Sequence, residues 1–203
     1  MTDKPMTPQL WTDRSVDDTI AVYRDWAASY DADLGGGGYH TPLRLAQALQ
    51  PHLPSDALIL DFGCGTGISG AALRAVGFTR LHGVDITPEM LDRARPKAIY
   101  DDLRLSQPGT VPAQPGTYAA IVATGVISLG AAPPETLNLL IDALARGGLI
   151  ALSFNDPTLA DGRYDTALQA QVDAGMVTVL SRAHGPHLDG MNMGSDVIVL
   201  KRL

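Results

Sequence analysis

The sequence has a single cysteine, Cys64, among its 203 residues. One thiol excludes an internal disulfide and a zinc site built from several thiolates. No apolar run approaches the ~18 residues that span a bilayer. The first residues, "MTDKPMTPQL", include neither the basic segment nor the apolar segment of a secretory signal. We therefore expect no membrane segment, no cleaved signal and a cytoplasmic location.

Positive charge is also scarce in this chain. It has 15 Lys and Arg against 22 Asp and Glu, which gives a formal net charge of -7 at pH 7. This balance repels nucleic-acid phosphates, although a local basic patch would escape the argument. We expect a small-molecule partner, no nucleic acid and no membrane. The sequence does not distinguish a monomer from a homodimer.

Alternating apolar and helical patterns predict one α/β domain over residues 1–203. Parallel strands are predicted at residues 58–62, 80–84, 103–106, 118–124 and 148–154. Helices are predicted at 15–34, 42–54, 68–76, 88–95, 134–145 and 159–175. The segments "MVTVLSR" and "DVIVLKR" predict two closing strands at the sheet edge, separated by the loop "AHGPHLDGMNMGS". The four glycines at 35–38 are expected to end the first helix, because glycine loses much backbone entropy there.

A glycine-rich stretch, "LDFGCGTGISG", follows the first strand and allows two ligands. Its "GTGISG" fits the dinucleotide pattern G-x-G-x-x-G, with Asp85 about 20 residues further on, where an acid binds ribose. Asp61, however, places a carboxylate at the mouth of the loop. That charge disfavours a pyrophosphate and favours the ammonium and sulfonium of S-adenosylmethionine. We favour S-adenosylmethionine, with a dinucleotide as the alternative.

Several segments carry a family resemblance. "LDFGCGTG", "LHGVDITPEML" and "GGLIALSF" resemble successive motifs of class I S-adenosylmethionine-dependent methyltransferases. "YRDWAASYDADL" and "GVISLGAAP" more closely resemble the methyltransferase-like proteins of the Williams-Beuren syndrome region. This resemblance implies a Rossmann-like, doubly wound seven-stranded sheet, mostly parallel with an antiparallel last strand, and helices on both faces. It also implies S-adenosylmethionine as cofactor, S-adenosylhomocysteine as product, and a site at the carboxyl ends of the strands.

The resemblance assigns cofactor roles residue by residue. Asp61 and the glycine loop would hold the amino-acid end, Asp85 the ribose, and Ile86 with Met90 the adenine faces. Many relatives carry an Asp at the adenine edge, where this chain offers only Ser106 or Gln107. The remaining loop and fourth-strand positions of this predicted site are Gly63, Cys64, Gly65, Thr66, Gly67, Ala123, Thr124 and Gly125. Asp85 has a second interpretation as a helix N-cap, and Cys64 is interpreted as a small buried residue rather than a nucleophile.

The N-terminal segment, residues 1–40, is interpreted as a helical lid on the same domain. Tyr23, Trp26 and Tyr30 form a helical stripe that would equally suit a core, whereas a lid would bring Tyr30 or Tyr39 over the cofactor. His184 and His187 are weak candidates for a general base. Their spacing resembles metal ligation, but no further ligand motif accompanies them, so we expect no metal.

These residues predict a methyltransferase that transfers a methyl group from S-adenosylmethionine to an unidentified small molecule. The motifs "NPPY" and "DPPY" of many amide-nitrogen methyltransferases are absent, and Asn155 with Asp156 and Pro157 comes one strand too late to replace them. Two alternatives remain open: a non-catalytic module that binds S-adenosylmethionine, and an NAD-binding oxidoreductase.

Overall fold

The computed structural model describes residues 8–36 and 38–203, so the first seven residues of the predicted lid and Gly37 lie outside the described residues. The helices are α1 Val16–Trp26, α2 Tyr30–Gly36, α3 Thr41–Leu49, α4 Ile68–Ala75, α5 Pro88–Ala94, α6 Thr136–Asp142, α7 Asp156–Asp161 and α8 Arg163–Asp173. The strands are β1 Leu58–Phe62, β2 Arg80–Asp85, β3 Asp102–Leu105, β4 Ala120–Ala123, β5 Leu149–Asn155, β6 Val177–Leu188 and β7 Met193–Arg202.

The strands form one seven-stranded sheet in the order β3-β2-β1-β4-β5-β7-β6. All pairings among β1 to β5 are parallel, whereas β7 runs antiparallel to both of its neighbours. The predicted fold class, including the antiparallel last strand, is confirmed. Because parallel strands place their carboxyl ends at one edge of the sheet, the loops after β1, β2, β3 and β4 come together there.

Helices cover both faces of the sheet, and each face has its own apolar core. On one face, α6 and α8 pack over Ile121 and Ile150. On the other, α3 and α4 pack over Ile59 and Val122. These central strand residues are fully buried. Burial on both faces explains why the parallel strands read as continuous apolar runs in the sequence.

The sequence prediction is wrong for two long helices, because the structure has two shorter helices in place of each. The helix predicted at 15–34 bends at residues 27–29, where Trp26 Nε1 and Ser29 Oγ both donate to Asp33 Oδ2 at 2.8 Å. The helix predicted at 159–175 is interrupted at Gly162, whose φ of 78° breaks the helical path. The glycine run ends α2 as expected, but its first two members are still helical.

The loop predicted between the last two strands is also wrong. Most of it continues β6 to Leu188 and begins β7 at Met193. The Gly and His residues of this segment suggested a loop, yet β6 is the edge strand, where Gly185 and Pro186 are tolerated. Its register shifts between Pro186 and Leu188, as at a bulge.

No helix among residues 8–36 and 38–203 is long and apolar enough to cross a bilayer. The cytoplasmic location stays a prediction.

Candidate functional site

A cavity of about 350 Å³ opens at the carboxyl ends of β1, β2 and β4. Its volume lies within the range of small-molecule and cofactor pockets. We call it the larger cavity. Its walls are formed by Val16, Thr19, Tyr23, Tyr30, Phe62, Gly63, Gly65, Asp85, Ile86, Thr87, Met90, Ser106, Gln107, Pro108, Gly109, Thr124, Gly125, Val126, Ala131, Ala132, Pro133, Glu135, Thr136 and Leu139.

The glycine loop forms one wall of the larger cavity with bare backbone. Gly63 has φ +70°, and a Cβ there would lie 2.5 Å from Val126 Cγ2. Gly65 has φ +52°, but a Cβ there would meet nothing within 4 Å. Gly63 therefore keeps the turn tight, while Gly65 leaves open space in which a ligand can approach the main chain.

Asp85 ends β2 on the wall of the larger cavity and is 8% exposed. Its Oδ2 accepts from the Gly65 amide at 2.8 Å, and its Oδ1 accepts from the Thr87 amide at 2.8 Å. Burial raises the pKa of this carboxyl, and the two amide bonds oppose the rise. The N-cap interpretation of Asp85 is wrong, because the N-cap of α5 is Thr87 and Asp85 bonds to the amide of that residue, one position before the helix. Each carboxylate oxygen still has a lone pair for a ligand hydroxyl.

The predicted position of Asp61 at the mouth of the glycine loop is wrong: Asp61 does not line the larger cavity, lies behind the loop and is completely buried. Its Oδ2 accepts from Ser69 Oγ at 2.5 Å and from the Tyr100 hydroxyl at 2.7 Å. Its Oδ1 is buried without a hydrogen-bond partner among the described residues. Burial raises the pKa of Asp61 to about 6. An unpaired buried carboxylate oxygen costs free energy, which a cation or a bridging water relieves.

Two more unpaired polar atoms belong to residues on the wall of the larger cavity. They are the hydroxyls of Thr19 and Thr124, which have no partner in the described part of the chain. Buried hydroxyls are normally hydrogen-bonded. Together with the open backbone at Gly65, these atoms fit a ligand that carries several polar groups.

The charge of the larger cavity has one sign. Asp85 and Glu135 are on its wall, whereas no Lys or Arg is among the described residues that line it. A pyrophosphate would lack a cationic partner there, and a positively charged ligand would find carboxylates. The cavity therefore favours a cationic cofactor such as S-adenosylmethionine over a dinucleotide.

The predicted cofactor residues divide into two groups. Tyr30, Gly63, Gly65, Asp85, Ile86, Met90, Ser106, Gln107, Thr124 and Gly125 all reach the wall of the larger cavity. Tyr39, Asp61, Cys64, Thr66, Gly67 and Ala123 do not. Of this second group, Thr66 Oγ1 donates to Asp31 Oδ1 of α2 at 2.5 Å, which ties the glycine loop to the N-terminal helices. Burial raises the pKa of the Cys64 thiol, consistent with its interpretation as a buried packing residue.

A smaller cavity of about 50 Å³ adjoins the larger one. Tyr23, Tyr30 and Gly125 line both cavities. The walls of the smaller cavity are completed by Leu10, Trp11, Trp26, Leu34, Tyr39, Ser128, Leu129, Asn155, His187 and Leu188. Tyr39 belongs to this cavity, and its hydroxyl would lie 3.2 Å from a Cβ placed on Gly125.

The two histidines predicted as general-base candidates lie in different environments. His187 lines the smaller cavity and is 5% exposed, and burial lowers its pKa to about 4. His184 lines neither cavity, and its Nδ1 bonds to Asp196 Oδ1 at 2.9 Å. The structure therefore brings only His187 towards the site. No group of three His, Cys, Asp or Glu that could hold a metal ion occurs within the described ranges.

Sequence reasoning missed two parts of the site. The segment after β4 supplies Val126, Pro133 and Glu135, yet its only sequence signal was the resemblance carried by "GVISLGAAP". Val16 and Thr19 of α1 also line the larger cavity beside Tyr23. Their i, i+3 and i+7 spacing places all three on one helix face, a signal that would have found them.

The sheet order, the glycine loop and the larger cavity together define a protein of the Rossmann-like methyltransferase class. Residues 38–187 match the family described as a methyltransferase domain. The chain belongs to this family, and the predicted resemblance to S-adenosylmethionine-dependent methyltransferases is confirmed.

Curated relatives agree with this family. The chain is 39% identical to human methyltransferase-like protein 27, over 76% of the chain and 64% of that protein. It is 31% identical to the ribosomal protein L11 methyltransferase of Bordetella parapertussis, over 74% and 47%. It is 30% identical to the 18S rRNA (guanine-N(7))-methyltransferase of Schizosaccharomyces pombe, over 71% and 63%. The chain thus spans less than two thirds of the length of each of these relatives.

A solved structure supports the fold. The magnesium protoporphyrin IX methyltransferase of Synechocystis PCC 6803, crystallised with bound SAH, superposes with a TM-score of 0.67 over 92% of this chain and 100% of that one. The two sequences are 16% identical, so the likeness concerns the fold. S-adenosylmethionine, the predicted cofactor, is the cofactor of this methyltransferase family.

Proposed function

We propose that this protein transfers the methyl group of S-adenosylmethionine to a small-molecule acceptor. The single observation that carries the proposal is the larger cavity at the carboxyl ends of β1, β2 and β4. Asp85 borders this cavity, and no Lys or Arg is found among its described lining residues. This charge suits the ammonium and sulfonium of that cofactor.

The residues in and behind this wall would provide each part of a binding site for this cofactor. Asp85 would accept from the ribose hydroxyls, and Ile86 with Met90 would pack on adenine. Ser106 and Gln107 line the same cavity and would contact the edge of the adenine ring. The main chain of residues 63–67 would approach the amino-acid end. The unpaired Oδ1 of Asp61 would compensate the ammonium group, through water because Asp61 lies behind the wall.

Bound S-adenosylmethionine supplies a methyl carbon already activated by its sulfonium, which leaves as a neutral thioether. The chain therefore has to align the acceptor atom and exclude water. Tyr23, Tyr30 and Gly125, which line both cavities, separate the cofactor position from the smaller cavity. We propose that the acceptor group enters the smaller cavity, and that α1 and α2 form the lid over it.

The size of the acceptor follows from the smaller cavity. The relatives include proteins named as ribosomal protein and rRNA methyltransferases. In this chain the cavity beside the cofactor position measures about 50 Å³, and the net charge is -7. Both observations support a small acceptor over an RNA, whose phosphates this charge repels.

The proposal is tested with radiolabelled methyl groups. The purified protein is incubated with S-[methyl-³H]adenosylmethionine and a cell extract that has been separated into a small-molecule filtrate and a macromolecular fraction. We expect label to enter the filtrate in a protein-dependent manner. Label found only in protein or RNA would contradict a small-molecule acceptor and would show that the acceptor is a macromolecule. No label in either fraction, with S-adenosylmethionine bound, would indicate a non-catalytic binding module.

The contact between α2 and the glycine loop gives a prediction about the lid. Asp31 accepts from Thr66 Oγ1 at 2.5 Å and pairs with Lys97 Nζ at 2.5 Å. Asp31→Ala removes both contacts, which are partly exposed, so we expect S-adenosylmethionine to bind about threefold more weakly in calorimetric titration. Asp25→Ala removes an exposed pair with Arg24 on α1 and is the control. Equal affinity of the two variants for S-adenosylmethionine would show that the Asp31 contacts do not contribute to cofactor binding.

Asp61 gives a prediction about pH. Burial raises its pKa to about 6 in the free protein, whereas a ligand ammonium favours the ionised form. Binding then releases a proton below pH 6, so affinity for S-adenosylmethionine should rise by up to roughly tenfold per pH unit towards pH 6 and level off near pH 7. The stability of the free protein changes in the opposite sense, since the folded state holds this proton more tightly than the unfolded chain and stability falls as pH rises from about 4 to 6.

Calorimetric titrations at pH 5, 6 and 7.5 check this prediction. Asp61→Asn removes the titrating group, so its affinity should be flat across the same range. An unchanged or falling affinity of the unmodified protein between pH 5 and 7.5 would contradict the role of Asp61.

A further inference from the structure

Two buried nitrogen-bearing side chains, Asn155 and His187, lie on the wall of the smaller cavity. They are 6% and 5% exposed. They come from different elements, the end of β5 and the end of β6. Neither residue lines the larger cavity, so their hydrogen-bonding groups would bind a molecule in the smaller cavity and not the cofactor.

The orientation of the Asn155 amide is determined by α7. Its Oδ1 accepts from the Thr158 amide at 3.1 Å and from Thr158 Oγ1 at 2.6 Å. The Thr158 amide can only donate, so the atom facing it is the oxygen. Both hydrogen bonds of the Asn155 side chain among the described residues are made by Oδ1. Because Asn155 lines the smaller cavity, its amide nitrogen is the N–H donor that this side chain can offer to a ligand there.

A chain of hydrogen bonds determines which nitrogen of His187 carries the hydrogen. Arg44 Nη1 donates to Ser195 Oγ at 3.0 Å. Ser195 Oγ lies 2.7 Å from Thr41 Oγ1, which lies 2.7 Å from His187 Nδ1. Arg44 only donates, so Thr41 Oγ1 is the one acceptor among the described residues for the Ser195 hydrogen. The Thr41 hydrogen is then directed to His187 Nδ1. The reverse direction would leave the hydroxyl hydrogen of Ser195, a residue that is 0% exposed, without an acceptor among the described residues.

His187 is consequently a donor at its other nitrogen. Its Nδ1 accepts from Thr41, and its lowered pKa of about 4 keeps the ring neutral at pH 7. The hydrogen of a neutral imidazole then sits on Nε2. A nitrogen that already carries its hydrogen cannot take a proton from an acceptor, so this arrangement speaks against His187 as a general base.

The other described residues that line the smaller cavity are aromatic, aliphatic or small, and none of them carries a charge. Trp11, Trp26, Tyr30 and Tyr39 supply flat walls. Burial raises the pKa of both tyrosines, so their hydroxyls stay neutral. No Asp, Glu, Lys or Arg is among the described residues that line this cavity. A charged group would enter without a partner, at a high desolvation cost.

We infer, on the basis of the proposed function, that the methyl acceptor is an uncharged planar compound whose carbonyl-type oxygen accepts hydrogen bonds from Asn155 Nδ2 and His187 Nε2. The aromatic walls hold its flat face. Thr41 is a positioning residue, because it acts by fixing the His187 tautomer. Amines, carboxylates and phosphate esters are excluded at this position by the lack of a charge partner.

Three matched ring compounds test this inference: benzamide, benzoate and benzylamine. Their binding to the protein saturated with S-adenosylhomocysteine is measured by saturation-transfer NMR. We expect benzamide to bind about tenfold more tightly than the charged compounds. Equal or tighter binding of benzoate or benzylamine would overturn the inference, and so would the absence of binding by all three. Failure of S-adenosylhomocysteine to bind is a separate result that would overturn the proposed function itself.

Asn155→Asp tests the donor directly. The new carboxylate keeps an oxygen for the Thr158 cap and replaces the N–H donor by an acceptor. We expect benzamide binding to fall about tenfold or more, with the affinity for S-adenosylhomocysteine unchanged. Asn138→Asp, at an exposed position of α6, is the control for added charge. Benzamide binding by Asn155→Asp equal to that of the control would contradict the assignment.

The His187 tautomer is tested by long-range ¹H–¹⁵N NMR of the imidazole. We expect Nε2 to show the shift of a protonated nitrogen and Nδ1 that of an acceptor. Thr41→Val should allow the other tautomer and weaken benzamide binding about threefold, whereas Thr41→Ser should restore both properties. A hydrogen on Nδ1 in the unmodified protein would overturn the proposed relay.

Discussion

Asp85→Ala should reduce the affinity for S-adenosylmethionine roughly 100-fold, because two hydrogen bonds from ribose hydroxyls to a carboxylate are lost together. The side chain stands on the wall of the larger cavity and is 8% exposed, so water replaces it poorly. The substitution also releases the amides of Gly65 and Thr87, which loosens the glycine loop. Calorimetric titration of the variant with S-adenosylmethionine measures the loss.

Asp92→Ala is the matched control for this prediction. Asp92 lies on the exposed side of α5, a few residues beyond Asp85, and does not line the larger cavity. We expect its affinity to equal that of the unmodified protein. Thermal unfolding of both variants shows whether the fold persists. A folded Asp85→Ala that binds S-adenosylmethionine with normal affinity would remove this residue from the site.

Gly65→Ala should weaken S-adenosylmethionine binding by roughly 10- to 100-fold, because the new methyl group occupies space at the cofactor position. A Cβ at Gly65 meets no protein atom within 4 Å, so the protein itself does not clash with it. The φ of +52° adds backbone strain of about 1–2 kcal/mol. Binding is measured by calorimetry and the strain by chemical denaturation.

Gly77→Ala separates these two effects. Gly77 also has a positive φ, +103°, and a Cβ there likewise meets nothing within 4 Å, but it lies outside the larger cavity. Both variants should lose about 1–2 kcal/mol of stability, whereas Gly65→Ala alone should lose affinity. Equal affinities in the two variants would mean that the ligand does not approach Gly65.

The sequence was sufficient for the sheet and for the glycine wall of the site. Five parallel strands were predicted close to their observed positions, because buried strands such as β1 and β5 appear as short apolar runs between turns. Gly65 and Asp85, which line the larger cavity, were predicted as site residues because a glycine loop followed by an acid at this spacing is a local sequence pattern. Local patterns of this kind survive without any knowledge of distant contacts.

The remaining features depend on contacts between distant residues. The bend after α1 arises from the bond between Trp26 and Asp33, which helical periodicity does not reveal. The smaller cavity is lined by both Asn155 of β5 and His187 of β6, which are far apart in the sequence. They reach one cavity only because β7 pairs with both strands and lies between them. The tautomer of His187 depends in turn on Thr41, far along the chain. Such arrangements belong to the tertiary structure.

Calorimetric titration of the unmodified protein with S-adenosylmethionine, S-adenosylhomocysteine and NADH tests the central claim most directly. The described residues that line the larger cavity include two carboxylates and no Lys or Arg. We therefore expect S-adenosylmethionine and S-adenosylhomocysteine to bind, and NADH to produce no measurable heat of binding. Binding of NADH without S-adenosylmethionine would contradict the account and would make "GTGISG" a dinucleotide loop.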